Sequence, residues 1–246
     1  MKAKYFPLLL CLIALQLCSC KKKTDNNNPG NPNTRVKTIT TVASSLNETD
    51  TLTYDSSNRL LLFSSSNGSK TQYTYTGSTV YQDQYDSSGN LTTSYTYTFN
   101  SSSLVDTAVE NYSGTYYYLK YMYDANGYLV GKNMYDATNT LYTTYAWTIT
   151  NGDATGYVNK DPAGNTLSTQ TSTFITDKIN TVTNQSGGQA YFGTSSTNPV
   201  LTVMTSSVGT NHTFNYQYTY DANGRIASMT ASENGVTNLV QSFTYY

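Results

Sequence analysis

The chain has 246 residues and a formal net charge of −1 at pH 7. From Val36 onwards, eight basic residues against fourteen acidic ones leave a net charge of −6. Proteins that bind nucleic acid need basic patches, so this balance excludes a nucleic-acid partner. Aliphatic residues and phenylalanine are scarce, but 24 tyrosines follow Cys20. Because tyrosine supplies a large buried area, we expect a folded domain with a tyrosine core.

The first nineteen residues have the pattern of a secretory signal peptide: two lysines, an apolar run from Phe6 to Leu17, and the small residue Ser19 before Cys20. The apolar run is shorter than the roughly 20 residues that span a bilayer. The ending LCSC resembles the bacterial lipobox, in which a leucine lies three residues before a cysteine that becomes diacylated. The resemblance implies a signal peptide over 1–19 and a lipid anchor on Cys20. The alternative is an ordinary secreted protein that is cleaved nearby.

Residues 20–35 continue as a polar segment, and 21–35 contain none of the aliphatic or aromatic residues that form a core. Such a segment cannot offset its ordering entropy by burial, so we predict a flexible tether with an r.m.s. span of roughly 20 Å. The remaining residues, 36–246, are predicted to form a single domain.

The sequence has few cysteine and histidine residues that could form disulfides or bind a metal. All three cysteines lie at or before Cys20, so the chain beyond it has no disulfide and no cysteine metal site. The only histidine, His212, lies in the alternating stretch NHTFNYQY, and we interpret it as an ordinary sheet residue. We therefore expect no metal and no other cofactor.

A short motif, Tyr-Asp-x-x-(Gly/Asn)-x-(Leu/Ile), recurs along the domain, as in YDSSNRL from Tyr54 and YDANGRI from Tyr220. An aspartate in the first turn position accepts hydrogen bonds from amides two residues on, and Gly or Asn in the fourth position tolerates the left-handed conformation of a bulged type I turn. The Tyr before the turn and the Leu or Ile after it then form a cross-strand pair. The predicted turn residues, all structural, are Asp55, Asp86, Gly89, Asp124, Gly127, Asp136, Asp221 and Gly224.

Large residues alternate with Thr and Ser between these turns. The stretch TSYTYTFN places Tyr95, Tyr97 and Phe99 on one face, a period of two that indicates a strand. The fold class is therefore all-β: an antiparallel β-meander of about fifteen strands that forms a large curled sheet or barrel-like shell, because open twisted sheets rarely exceed about ten strands. A transmembrane barrel conflicts with faces of Thr, Ser, Asn and Tyr where lipid requires an apolar band.

The repeated unit resembles the YD repeats of large secreted Rhs-type and teneurin-type proteins, whose consecutive hairpins build a curling β-shell. With the lipobox and the tether, the stretch QAYFGTSSTNP resembles a family of Gram-negative outer-membrane lipoproteins of unknown function. The family pattern FG-x-S-x-x-N-P is matched by Phe192, Gly193, Ser195, Asn198 and Pro199. The resemblance implies a lipid-anchored location at the outer membrane, facing the periplasm or the surface, and it implies no activity.

Catalytic motifs are absent from the sequence: it has no H-E-x-x-H, no G-x-S-x-G and no phosphate-binding glycine loop. Asp106 and Glu110, four residues apart on a predicted strand, would share a face at about 13 Å. That separation exceeds the roughly 5 to 9 Å of glycosidase carboxylates, unless a bulge intervenes. We therefore expect a non-enzymatic structural or interaction role, with a carboxylate hydrolase as the weaker alternative.

Glycan binding is the main alternative to a purely structural role. Trp147, with Tyr142 and Tyr145 beside it, would stack on sugar rings if these side chains were exposed. Packed inside the sheet, the same side chains would be core residues, and the alternation of the strand favours this interpretation. The expected partners are the membrane, through the anchor, and a polysaccharide or an envelope protein.

Overall fold

The computed structural model describes residues 35–44, 46–207 and 209–246. The predicted signal peptide, Cys20 and the tether up to residue 34 lie outside the described residues. Within these ranges the chain forms a closed barrel of sixteen antiparallel strands, in which each strand pairs with the next and β1 pairs with β16. The prediction of an all-β, barrel-like meander is confirmed, with one strand more than the roughly fifteen that the turn spacing predicted.

The strand bounds are as follows. They are β1 (Val36–Ala43), β2 (Leu46–Tyr54), β3 (Leu60–Ser65), β4 (Lys70–Thr76), β5 (Thr79–Tyr85), β6 (Leu91–Phe99), β7 (Val105–Tyr112), β8 (Thr115–Tyr123), β9 (Leu129–Tyr135), β10 (Leu141–Thr150), β11 (Asp153–Lys160), β12 (Thr166–Phe174), β13 (Val200–Ser207), β14 (Thr210–Tyr220), β15 (Ile226–Glu233) and β16 (Val236–Tyr245). A 3-10 helix spans Ala190–Phe192. In the described ranges, no helix is long and apolar enough to cross a membrane.

The repeat turns have the geometry that their residues favour. At the β5–β6 turn, Asp86 Oδ1 accepts hydrogen bonds from the amides of Ser88 and Asn90, each at 2.9 Å. Gly89, in the fourth position, has φ +83°. The Asn90 side chain and these amides hold the pKa of the Asp86 carboxyl below its usual range. The same contacts from a first-position aspartate recur at four other turns, those of Asp55, Asp124, Asp136 and Asp221.

Each repeat turn is bordered by a cross-strand pair and a β-bulge. The Tyr before the turn lies opposite the Leu or Ile after it, and the register shifts by one residue directly beside the pair. Bulges increase the local twist of a sheet, which assists its closure into a barrel. The five pairs are Tyr54 with Leu60, Tyr85 with Leu91, Tyr123 with Leu129, Tyr135 with Leu141 and Tyr220 with Ile226.

The period of two separates an aromatic inner face from an outer face rich in hydroxyl groups. Tyr97 points inward, where its ring contacts those of Tyr191 and Phe192 in the β12–β13 connection. The outer face carries cross-strand hydroxyl pairs such as Thr38 with Thr244, at 2.6 Å. The larger buried cluster joins inner side chains of β1 to β8 to that connection.

The β12–β13 connection, residues 175–199, fills one end of the barrel, and we call it the plug. Its backbone hydrogen-bonds to β1, to β3 and to the β8–β9 and β10–β11 turns. The bonds are Ser186 O to Val36 N (3.2 Å), Gly188 O to Leu60 N (3.1 Å), Thr194 N to Gly127 O (2.8 Å) and Thr197 N to Gly152 O (3.1 Å). Strand β1 begins and strand β16 ends at this plugged end. The opposite end, which carries turns such as β5–β6 and β9–β10, is called the far end.

Asp106 and Glu110 do not share a face, so that expectation is wrong. The pairing of β6 with β7 skips one residue and leaves Asp106 as the extra residue of a bulge. Asp106 therefore points outward, where it forms an ion pair with Lys120 at 2.6 Å. Glu110 points inward and accepts a hydrogen bond from the Tyr95 hydroxyl at 2.8 Å. A bulge exchanges the inward and outward sides for every residue beyond it. The alternation of side chains in the sequence did not reveal the bulge at Asp106.

Candidate functional site

The stretch that carries the lipoprotein resemblance forms the part of the plug that docks on β11. Ser195 and Ser196 are 0% and 1% exposed. Ser196 Oγ accepts a hydrogen bond from the Ala154 amide at 3.0 Å. Asn198 donates from its backbone amide and its side chain to the two carboxylate oxygens of Asp153, at 3.0 and 2.8 Å. These polar side chains satisfy buried groups and fix the plug to the barrel wall.

Gly193 lies where the plug packs closely against the β8–β9 repeat turn. Its backbone has φ +91° and ψ −163°, a region occupied almost only by glycine. A Cβ at this position would lie 2.5 Å from the carbonyl oxygen of Gly127 and 2.8 Å from the ring of Tyr123. The plug therefore needs glycine here both for its backbone conformation and for the contact.

Trp147 and Tyr145 lie on the inner wall of the barrel. Their ring centroids are 6.3 Å apart at an interplanar angle of 22°. Trp147 is the register partner of Tyr157 on β11, whose ring lies 5.5 Å away. All three side chains are half-buried, and burial raises the pKa of Tyr157 to about 12. Lys132 Nζ lies 4.3 Å from the centroid of the Tyr145 ring.

Tyr142 is separate from this cluster. It is 55% exposed, and its ring contacts that of Tyr117 at 5.7 Å. The structure thus brings together two of the three aromatic residues singled out in the sequence, and it adds Tyr157, which sequence reasoning missed. Tyr157 lies on the strand directly after that of Trp147, across a short turn, and this position could have indicated that the two rings are neighbours.

Polar groups on the inner wall form two smaller clusters. His212 Nδ1 lies 2.5 Å from Glu233 Oε1, so the lone histidine faces a carboxylate on the next strand. On β2, burial and, to a smaller extent, the negative charge of the neighbouring Glu48 raise the pKa of the Asp50 carboxyl to about 6. Among the described residues, no group of three or more His, Cys, Asp or Glu side chains is placed to hold a metal ion.

A second set of tyrosines faces outward near the far end. Tyr116 and Tyr118 on β8 are 46% and 42% exposed. Tyr118 pairs across the strands with Tyr135 on β9, whose hydroxyl accepts a hydrogen bond from Asn133 at 3.3 Å. Beside Tyr118 and Tyr135 lies an open cleft of about 430 Å³, which also contacts Thr107, Val109, Lys120 and Asn139. We call these three tyrosines and the cleft the tyrosine cleft.

The sequence did not reveal the tyrosine cleft because β8 reads TYYYLKYMY, with three consecutive tyrosines. Alternation cannot assign a facing when both faces carry the same residue type. The register resolves it, since Tyr117 pairs with the inward Glu110 and its neighbours therefore point outward.

The fold and its plug define a closed sixteen-stranded antiparallel β-barrel that is filled at one end. No protein-family model and no curated protein matches the chain. Among solved structures, the chain is similar to a porin-like protein from Bacteroides uniformis, with a TM-score of 0.69 and 17% identity over 89% of this chain and 99% of that one. It is also similar to a porin-like protein from Bacteroides vulgatus, with a TM-score of 0.62 and 9% identity over 86% and 98% of the two chains. At these identities the likeness shows the fold alone.

Proposed function

We propose that this chain is a lipid-anchored, non-enzymatic barrel of the outer membrane with a structural or interaction role. The observation that carries the proposal is the position of Arg35. Its guanidinium donates a hydrogen bond to the carbonyl of Gln185 in the plug, and its own carbonyl accepts one from the amide of Tyr246, at 3.0 Å. A tether that ends at Arg35 and starts at a lipidated Cys20 would hold the plugged end toward the membrane and the far end away from it.

The outer face of the barrel supports an anchor rather than a membrane-spanning barrel. A lipid-facing wall requires a continuous apolar band. Here the outer wall carries hydroxyl pairs such as Thr219 with Ser228, at 2.7 Å, and the Asp106–Lys120 ion pair. The two similar barrels are described as porin-like proteins, which favours an envelope location for this chain as well.

Metabolic labelling with a fatty-acid analogue tests the anchor. Wild-type protein should be labelled and should fractionate with membranes. Cys20→Ser should be unlabelled, because it removes the acylated thiol, whereas Cys18→Ser is the matched control in the same leader and should remain labelled. Unlabelled wild-type protein in the soluble fraction would contradict the proposal.

The orientation is tested with a dye on single introduced cysteines at exposed turn positions. Ser56→Cys lies at the plugged end, in the β2–β3 turn, and Ala137→Cys lies at the far end, in the β9–β10 turn. A quencher attached to lipid headgroups should quench the Ser56→Cys dye more strongly. Equal quenching at both positions, or stronger quenching at Ala137→Cys, would refute the orientation.

A further inference from the structure

The tyrosine cleft presents neighbouring aromatic rings to solvent on an outer wall that also carries many hydroxyl groups. Tyr116 and Tyr118 are two residues apart on one strand, so their side chains stand on the same face about 7 Å apart. Tyr118 has Val109 as its partner on β7 and Tyr135 as its partner on β9. A contiguous exposed aromatic surface on a barrel wall indicates an interaction site.

An isolated exposed tyrosine elsewhere on the wall shows the difference. Tyr81 on β5 is 43% exposed, nearly as much as Tyr118. Its register partners on the two neighbouring strands are Thr74 and Thr96. Single exposed side chains of this kind are normal on protein surfaces and need no ligand to explain them.

Among the residues that line the cleft, Lys120 is the one with a charged side chain. The charge of Lys120 is balanced by Asp106 at 2.6 Å. Hydrogen-bonding capacity comes from the amide side chains of Asn133 and Asn139 and from the tyrosine hydroxyls. A neutral cleft with flat apolar rings and amide groups suits a ligand that has both C–H faces and hydroxyl edges, which describes a sugar chain. A strongly charged ligand would find no unpaired opposite charge among the residues that line the cleft.

The position of the cleft along the barrel favours a ligand away from the membrane. Tyr116 lies near the start of β8 and Tyr135 is the last residue of β9, so both lie toward the far end. Arg35, where the tether meets the barrel, lies at the plugged end. We propose that the tyrosine cleft binds a neutral polysaccharide, with its sugar rings stacked on Tyr116 and Tyr118. This orientation rests on the proposed anchor, whereas the binding site itself does not.

Native affinity electrophoresis of the full chain, in a detergent without a sugar headgroup, tests the site. The gels contain an α-glucan, a β-glucan, an α-mannan or, as a charged comparison, polygalacturonate. At least one neutral polysaccharide should retard the protein. Tyr118→Ala should weaken this retardation about tenfold, equivalent to about 1.4 kcal/mol. Tyr81→Ala is the matched control and should match the wild type, and a thermal melt should show all three proteins equally folded.

Failure of the site and failure of the anchor are distinguishable. If no neutral polysaccharide retards the wild type, if only polygalacturonate does, or if Tyr118→Ala and Tyr81→Ala behave alike, the site is refuted while the labelling of Cys20 is unaffected. If neutral polysaccharide retards the wild type but the protein carries no lipid label, the site stands and the anchor is refuted.

Discussion

Replacing Gly193 by alanine should dislodge the plug, and Gly224 offers a matched comparison. Both glycines have positive φ, +91° and +75°. At Gly224 a Cβ would meet nothing within 4 Å, so Gly224→Ala should destabilise the barrel only by the backbone strain, about 1 kcal/mol. At Gly193 the new Cβ would lie 2.5 Å from the Gly127 carbonyl oxygen, a backbone atom that cannot rotate away.

The expected destabilisation by Gly193→Ala is the sum of two effects. The glycine-only backbone region contributes about 1 to 3 kcal/mol, and forcing an atom into a packed contact contributes about 1 to 3 kcal/mol. We expect a loss of about 3 to 5 kcal/mol, with separation of the 2.8 Å hydrogen bond from the Thr194 amide to Gly127.

Denaturant unfolding measures both variants, with the single tryptophan, Trp147, as the fluorescent reporter. The free energies of unfolding should differ by at least about 2 kcal/mol between the two alanine variants. If they agree within about 0.5 kcal/mol, the contact between the plug and the β8–β9 turn contributes nothing, and the reasoning from this contact is refuted.

Three further variants test the wall and the turns. Trp147→Ala should destabilise the barrel by about 3 kcal/mol, the low end for an aromatic truncation because the ring is half-buried; an unchanged circular-dichroism melt would place it outside the core. Asp221→Ala should destabilise by about 1 kcal/mol, since it removes the hydrogen bonds to Asn223 and Arg225, and a neutral effect in a urea melt would contradict the turn. The raised pKa of Asp50 means that its protonated form is favoured in the folded state, so stability should fall as pH rises from about 4 to 6 and stay level above. Asp50→Asn should therefore be neutral near pH 4 and stabilising by about 1 kcal/mol at pH 7, a magnitude discounted for partial exposure; equal gains at both pH values would refute the assignment.

The strands and hairpin turns were predictable because their signals are local. Asp86 and Gly89 lie three residues apart and specify one turn through the chemistry of those two residues. The alternation in TSYTYTFN likewise fixes the inward facing of Tyr95 and Tyr97, which the structure shows stacked at 5.5 Å. The number of strands predicted a curled sheet or a barrel-like shell, since a single open sheet of this size is unusual, but it did not decide between the two.

The plug and the tyrosine cleft were not predictable, because their determinants are far apart in sequence or ambiguous in period. The Gln189 side chain donates to the Tyr73 hydroxyl at 3.1 Å, across 116 positions in the chain. Nothing near Gln189 in the sequence indicates this partner. The bulge at Asp106 and the run Tyr116 to Tyr118 were missed for a local reason. In both places the alternation of residue types does not show which side chains face inward.

The distribution of side chains on the wall bears on the proposed anchor. A barrel in lipid has an apolar outer band and a polar lumen. In this barrel, rings such as those of Tyr97 and Tyr191 pack in the interior, and hydroxyl pairs such as Thr38 with Thr244 lie on the outside. Closure of the barrel leaves no strand edge unpaired, and this is an advantage both in water and in lipid. Under the proposed function, the lipobox-like sequence before Cys20 would attach this barrel to the membrane.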